Sequence, residues 1–200
     1  MQKNIIAIFG GSFNPPTIAH IDLAKQILDN IENIEKIIFV PVSTKYNKQG
    51  LALDNDRFNM LEEVCKRLDN IEVSSIELDS PRQLYTIETL DMLQEQNKDK
   101  QICFIIGTDN LKKLETWHKA DELLEKYKVI VLKRDNDDVG KIIKESIFLT
   151  KYKEAIINLE NINPINLSSS YIREKLEKSE DISNLVPTEI LEEVKKLYSK

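Results

Sequence analysis

The sequence predicts an α/β protein built on one doubly wound parallel sheet, with a small helical part at its C-terminal end. Three observations predict it. Short apolar runs such as Ile5–Phe9, Ile37–Val40 and Ile102–Ile106 recur along the chain, the pattern of strands buried on both faces. Between them lie segments with apolar residues at helical spacing. Regular β–α alternation implies right-handed crossovers, a parallel sheet and helices on both of its faces. The length, 200 residues, suits one well-cored domain spanning 1–200, and no repeat, low-complexity tract or linker interrupts it.

The elements follow in order. Ile5–Phe9 breaks at Gly10-Gly11, which can take positive φ and let a ligand approach the backbone closely. Pro15-Pro16 fix φ and withhold two N–H donors, so the chain there is a rigid loop. Ile18, Ile21, Leu23, Ala24, Ile27 and Leu28 predict an amphipathic helix over about 18–30. Thr17 and His20 are three apart and share a face if both lie in its first turn. A helix N-terminus after a glycine turn suits an anionic phosphate.

The second strand, Ile37–Val40, is expected to stop at Pro41, and a polar loop from Val42 to Leu53 carries Lys45, Tyr46, Lys48 and Gly50. Asp54 is the expected N-cap of a helix with the stripe Phe58, Leu61, Val64, Cys65 and Leu68. Ile71–Leu78 reads as a strand nearer an edge, and Thr86 opens a helix through Ile87, Leu90, Met92 and Leu93. Ile102–Ile106 ends at Gly107. The stretch 110–126 is helical in two pieces around Trp117, and Val129–Leu132 is another strand. Residues 138–160 read as a helix and then a short strand at Ala155–Leu159, followed by a loop holding Pro164. Ser168–Leu176 starts a further helix, and Pro187 sits near the start of the last, which ends near Tyr198. Gly10-Gly11 and Gly107-Thr108-Asp109 both fall at carboxyl ends of strands, where the ligand crevice of such a sheet lies. They read as two walls of one site.

Composition narrows the function. A net charge of −6 argues against a nucleic-acid binder working through general phosphate attraction. A small phosphorylated ligand needs only local cations and N–H groups. Cys65 and Cys103 sit inside apolar patterns and read as core residues in a reducing compartment. With two histidines and no CxxC, no metal site is expected from the side chains. Met1–Lys3 lead straight into the first strand, so no signal peptide is expected, and no apolar run approaches the ~20 residues that span a bilayer. The expectation is a cytoplasmic protein without membrane or nucleic-acid partners. Homo-oligomerisation stays open.

Three glycine-loop readings compete at residues 10–20. A dinucleotide fingerprint needs G-x-G-x-x-G and an acidic residue closing the second strand, and a P-loop needs G-x-x-x-x-G-K-[ST]. Neither is present. What remains is a strand, Gly10-Gly11-Ser12-Phe13-Asn14-Pro15-Pro16, then Thr17-x-x-His20 on a helix. Read bare, the glycines could serve a tight turn and His20 could be an incidental helix residue. The whole string resembles the signature of the nucleotidylyltransferase superfamily, (H/T)-x-G-H, in the form typical of bacterial nicotinate-nucleotide adenylyltransferases. Further resemblances follow in order. Leu84–Leu90 is similar to S-Y-T-x-D-T-L. Phe104–Leu111 with Trp117 is similar to F-I-I-G-x-D-x-L…W, and Leu167–Arg173 to the phosphate motif I-S-S-T-x-I-R.

The resemblance implies a Rossmann-like sheet of the nucleotidylyltransferase type. It implies attack by the phosphate of a pyridine mononucleotide on the α-phosphorus of Mg²⁺-bound ATP, releasing pyrophosphate in the synthesis of an NAD precursor. A phosphate oxyanion is already a nucleophile, so the protein must align the reactants and neutralise charge. By resemblance His20 contacts the α-phosphoryl group, Thr17 stands beside it, and Arg173 completes the catalytic set. Gly10, Gly11, Ser12, Phe13, Gly107, Asp109, Ser169, Ser170 and Arg173, with His20, would bind ATP, Asp109 near the ribose. Asp109 also reads as an N-cap for the helix at Asn110. Thr86 and Trp117 would bind the acceptor, joined by Lys45 or Lys48 in place of a family lysine; the ring of His118 has no assigned part. Ala19 stands where the superfamily has glycine, Leu84 replaces serine, and Arg134-Asp135 replaces R-P-G. Alternative acceptors are nicotinamide mononucleotide and phosphopantetheine, and a nucleotide-binding module without catalysis is the reading from another class.

Overall fold

The apolar runs pair into one six-stranded sheet in which every neighbouring pair is parallel. The computed structural model describes residues 4–45, 50–133, 137–159, 162–163 and 165–199. The strands are β1 (Ile5–Gly11), β2 (Ile34–Pro41), β3 (Ile71–Val73), β4 (Gln101–Gly107), β5 (Lys128–Leu132) and β6 (Ile156–Leu159). Their spatial order is β3-β2-β1-β4-β5-β6. The order reverses between β1 and β4, which creates a crevice at the carboxyl ends of those two strands. In register, Phe9 lies opposite Phe39 on one side and Ile105 on the other. Gly11 and Gly107 therefore end neighbouring strands at the same edge.

Alternating strand residues feed two cores. Ala7, Phe39, Cys103 and Ile105 face a layer made by α1 (Ile18–Asn30), α2 (Asp54–Cys65), α8 (Ser169–Glu177) and α9 (Leu191–Tyr198). Ile6, Ile8, Val40 and Ile106 face the opposite layer. It contains α3 (Thr86–Gln96), α4 (Thr108–Leu111), α5 (Ala120–Lys126), α6 (Val139–Glu145) and α7 (Ile147–Lys151). The expected C-terminal helical part is thus not a separate body. It completes the first layer, and the Ile18 N–H donates to the Leu185 carbonyl across it (3.1 Å). Cys65 is half-buried and Cys103 buried, both free, and burial pushes their thiols up to about 12 and about 11. Among the described residues no helix is long and apolar enough to cross a membrane.

Several expectations need correction. The run from Ile71 pairs only as far as Val73, because Leu78 and Asp79 donate their N–H groups back to the Ser75 carbonyl and form a turn. The strand is at the sheet edge, as expected. β2 does not stop before Pro41 but ends on it, opposite Gly11, where a missing N–H costs little. Asp54 is not an N-cap: it is the first residue of α2, Leu53 precedes it, and its carboxylate turns to Ser43, Thr44 and Arg57. The buried residues of α2 are Arg57, Met60, Leu61 and Val64: Leu61 and Val64 are as expected, Phe58 and Cys65 are only partly buried, and Arg57 and Met60 join the inner face. Asp109 is likewise not a cap; Gly107 holds that position and Asp109 lies in the first turn of α4. Arg134-Asp135 and Pro164 fall outside the described residues.

Candidate active site

The loop between β1 and α1 is shaped less by its glycines than by its phenylalanine. Gly10 and Gly11 are the end of β1, and their backbone is not left-handed. A Cβ on Gly10 would lie 3.2 Å from the Phe104 ring, and one on Gly11 would lie 2.9 Å from the Phe13 ring. At Gly11 a side chain would force a shift, and at Gly10 the Phe104 ring would have to give by a few tenths of an ångström. The positive φ belongs to Phe13, at 45°, a region in which a bulky L-residue is rare. Its ring is buried edge-on among Phe9 (5.9 Å), Phe39 (5.2 Å) and His20 (5.0 Å). That packing holds the strained turn. The Asn14–Pro15 peptide is cis.

Thr17 is fully buried and caps α1. The His20 N–H donates to its hydroxyl (3.3 Å), and the Thr17 N–H donates to His20 Nδ1 (3.0 Å). The Thr17 hydroxyl lies 2.8 Å from the same ring nitrogen. Because a backbone N–H can only donate, Nδ1 is an acceptor, and a neutral His20 ring carries its proton on Nε2. Thr17 stands behind the imidazole and orients it. The first-turn amides expected to meet phosphate are partly spent inside the protein: Ile18 on Leu185, His20 on Thr17.

The structure brings the second phosphate motif onto the same loop. Ser168 caps α8, accepting from the Tyr171 N–H (3.2 Å). The Ser169 hydroxyl donates to the Pro15 carbonyl (2.7 Å), and the Arg173 guanidinium donates to the Asn14 carbonyl (2.6 Å) and to Ser170 Oγ (3.1 Å). Residues more than 150 apart in sequence are thus in direct contact. Asn14 itself is buried. Its Nδ2 donates to the Gly50 carbonyl (2.8 Å), and its Oδ1 accepts from the Ala52 N–H (2.9 Å) and the Tyr198 hydroxyl (2.7 Å).

The acceptor residues are placed differently. Thr86 is the first residue of α3, and Trp117 is half-buried with its indole edge-on to Phe104 at 6.2 Å. Their neighbours Tyr85 and His118 stack, ring centroids 4.0 Å apart, which joins the two segments. Arg82 donates twice to the Glu88 carboxylate, which also accepts from the Tyr85 N–H. The Arg82 hydrogen bond foremost holds the Glu88 carboxyl down at about 2. Lys45 is turned away to the Leu78 (3.2 Å) and Ser80 (2.7 Å) carbonyls; Lys48 lies outside the described residues. Gly107 and Asp109 form the β4 wall of the crevice, Gly107 buried and Asp109 exposed.

Sequence reasoning passed over Arg57, Asn14's side chain and Tyr198. An arginine at helical spacing from Leu61 and Val64 was the available signal, and a stripe started at Phe58 passed over it. The distant Tyr198 left no local mark.

Residues 8–175 match the model of the cytidylyltransferase-like family. A protein of Fusobacterium nucleatum named "probable nicotinate-nucleotide adenylyltransferase" is 37% identical, the match covering 96% of this chain and 98% of that one. One of the same name from Clostridium acetobutylicum is 33% identical, over 95% and 96%. In fold, the chain is similar to Plasmodium falciparum nicotinic acid mononucleotide adenylyltransferase complexed with NaAD. The TM-score is 0.72 at 24% identity, over 94% of this chain and 93% of that one. A loop and two helix starts that the sequence scattered thus meet within the stretch that the family model matches, and the chain belongs to the nicotinate-nucleotide adenylyltransferases.

Proposed function

We propose that this chain transfers the adenylyl group of ATP, taken as its Mg²⁺ complex, to nicotinate mononucleotide. The products are nicotinate adenine dinucleotide and pyrophosphate. The observation that carries the reading is the joining of the His20 turn and the α8 N-terminus through the carbonyls of Asn14 and Pro15. It supports one phosphate cradle made from two motifs. An oxygen of the acceptor phosphate forms the new bond to the α-phosphorus, and the bond to the bridging oxygen breaks as pyrophosphate leaves with the electron pair. No proton needs to move. His20 Nε2–H donates to a non-bridging α-phosphoryl oxygen, where charge changes in the transition state. Arg173 and Ser170 meet the leaving β- and γ-phosphates, and Thr17 keeps the imidazole in its tautomer. Gly10, Gly11, Ser12 and Phe13 with Gly107 and Asp109 line the nucleotide. Thr86 and Trp117 line the acceptor; Lys45, which donates to the Leu78 and Ser80 carbonyls, would have to turn from them to join.

Among the described residues no three His, Cys, Asp or Glu side chains cluster to form a metal cage. Mg²⁺ is commonly held through substrate phosphates and water, so it fits here as part of the nucleotide. Pyrophosphate release with MgATP and each acceptor in turn tests the reading. Turnover is expected with nicotinate mononucleotide; turnover only with nicotinamide mononucleotide or phosphopantetheine, or with none, overturns it.

A further inference from the structure

Arg57 is fully buried on α2 and none of the motifs includes it. Its Nε donates to the Ala52 carbonyl (3.1 Å), Nη1 to the Ser12 carbonyl (2.8 Å), and Nη2 to the Val42 carbonyl (2.6 Å) and to Asp54 Oδ1 (2.6 Å). The three carbonyls belong to three chain segments, the loops leaving β1 and β2 and the lead-in to α2, and Asp54 is the first residue of α2 itself. Asp54 is locked in turn. Burial pushes its carboxyl up, but hydrogen bonds from the Thr44 N–H, Ser43 and Arg57 outweigh that and hold it below its usual value.

Stability alone is a poor account of this arrangement. A buried ion pair is often no more stabilising than apolar side chains of the same volume. What a buried guanidinium does well is fix directions. In a planar trans peptide the C=O and N–H point opposite ways. Arg57 draws the Ser12 carbonyl toward α2, so the N–H of the same peptide, that of Phe13, is turned away from α2. Phe13 is also the residue held at a φ of 45°. We propose that Arg57 is a positioning residue for nucleotide binding: it sets the Ser12–Phe13 peptide with its N–H toward the ATP phosphates. The inference rests on the phosphate-cradle reading of the β1–α1 loop.

The test compares Arg57→Lys, which keeps the charge but not the fork, with Val64→Ala, a buried change on α2 away from the site. Affinity for a non-hydrolysable ATP analogue is measured by calorimetry without acceptor, alongside KM for both substrates and Tm. Arg57→Lys is expected to weaken ATP affinity and raise KM for ATP by about 10- to 100-fold, the worth of a charge-assisted hydrogen bond. The acceptor KM should change by less than about threefold, and Val64→Ala should lose Tm without either change. Should Arg57→Lys not fold, Asp54→Asn keeps an acceptor oxygen for Arg57 while removing its counter-charge, and about a three- to tenfold loss of ATP affinity is expected. ATP affinity equal to wild type in the folded variant, or an equal loss in Val64→Ala, overturns the proposal. Because the binding arm needs no acceptor, it still reads Arg57 if the wild type fails to turn over nicotinate mononucleotide.

Discussion

The two halves of the crevice are built on opposite principles. On the phosphate side the working atoms are held by buried polar groups: Thr17, Asn14 and Arg57 are all at most 3% exposed, and each is hydrogen-bonded. On the acceptor side the walls are aromatic and wet. Tyr85 is 51% exposed, His118 and Lys45 are exposed, and the Arg82–Glu88 pair lies on the surface. Buried polar networks must be satisfied completely and so tolerate one geometry. Exposed stacking and surface ion pairs contribute about 1 kcal/mol or less each and leave room for adjustment. The difference suits a transfer in which in-line alignment at phosphorus cannot vary, whereas a flat ring can be gripped in several ways.

The largest break in this contrast should come from His20→Ala. Removing a donor made for the transition state is expected to lower kcat by about 10² or more, with ATP-analogue affinity within about threefold of wild type. Equal losses in kcat and ATP affinity would place His20 in ground-state binding. Trp117→Ala should do the reverse on the other side. Loss of a half-buried indole surface is expected to raise KM for the acceptor about tenfold while kcat stays within about threefold. A fall in kcat like that of His20→Ala would mean the indole shapes the reacting phosphate, and the two halves would not be separable.

The same contrast governs what could be read from the chain. The phosphate half was legible where its parts are contiguous: a strand, Gly10-Gly11, Pro15-Pro16 and the Thr17–His20 turn need only local rules. Even there the reason for the glycines was misplaced, because room beside the Phe13 and Phe104 rings is a tertiary fact. The docking of Ser169 and Arg173 was legible only as a second phosphate motif, with no way to see that it grips the carbonyls of Asn14 and Pro15. The bonds from Arg57 to Ser12 and from Tyr198 to Asn14 span 45 and 184 residues, which no local pattern encodes. On the acceptor side Thr86 and Trp117 came from resemblance, and the Tyr85–His118 stack that joins them has no periodic signature. The parallel sheet and the edge position of β3 followed from alternation, whereas the order of the strands was not read from the chain, and the end of β3 depended on a turn at Ser75 that apolar spacing does not encode.

The smallest expected effect concerns a charge that the acceptor half leaves half-buried. Glu77, just beyond β3, accepts a hydrogen bond from the Thr89 hydroxyl on α3 (2.8 Å). Burial raises its carboxyl above the usual 4.5, and the Thr89 bond only partly offsets this. Its folded state therefore binds the proton more tightly than the unfolded chain does, so its contribution to stability is greatest below 4.5 and declines as pH rises through the folded value. Glu77→Gln keeps an oxygen acceptor for Thr89 and removes the charge. The variant should melt about 1–3 °C above wild type at pH 7, with the gap closing below pH 4.5, where the wild-type carboxyl is itself protonated. A gap that is constant with pH would mean that amide packing, not charge burial, sets the difference. A variant less stable than wild type at pH 7 would mean that the carboxylate has found in Thr89 and its surroundings the kind of full satisfaction seen around Arg57, and the acceptor half would be less loosely built than its exposed rings suggest.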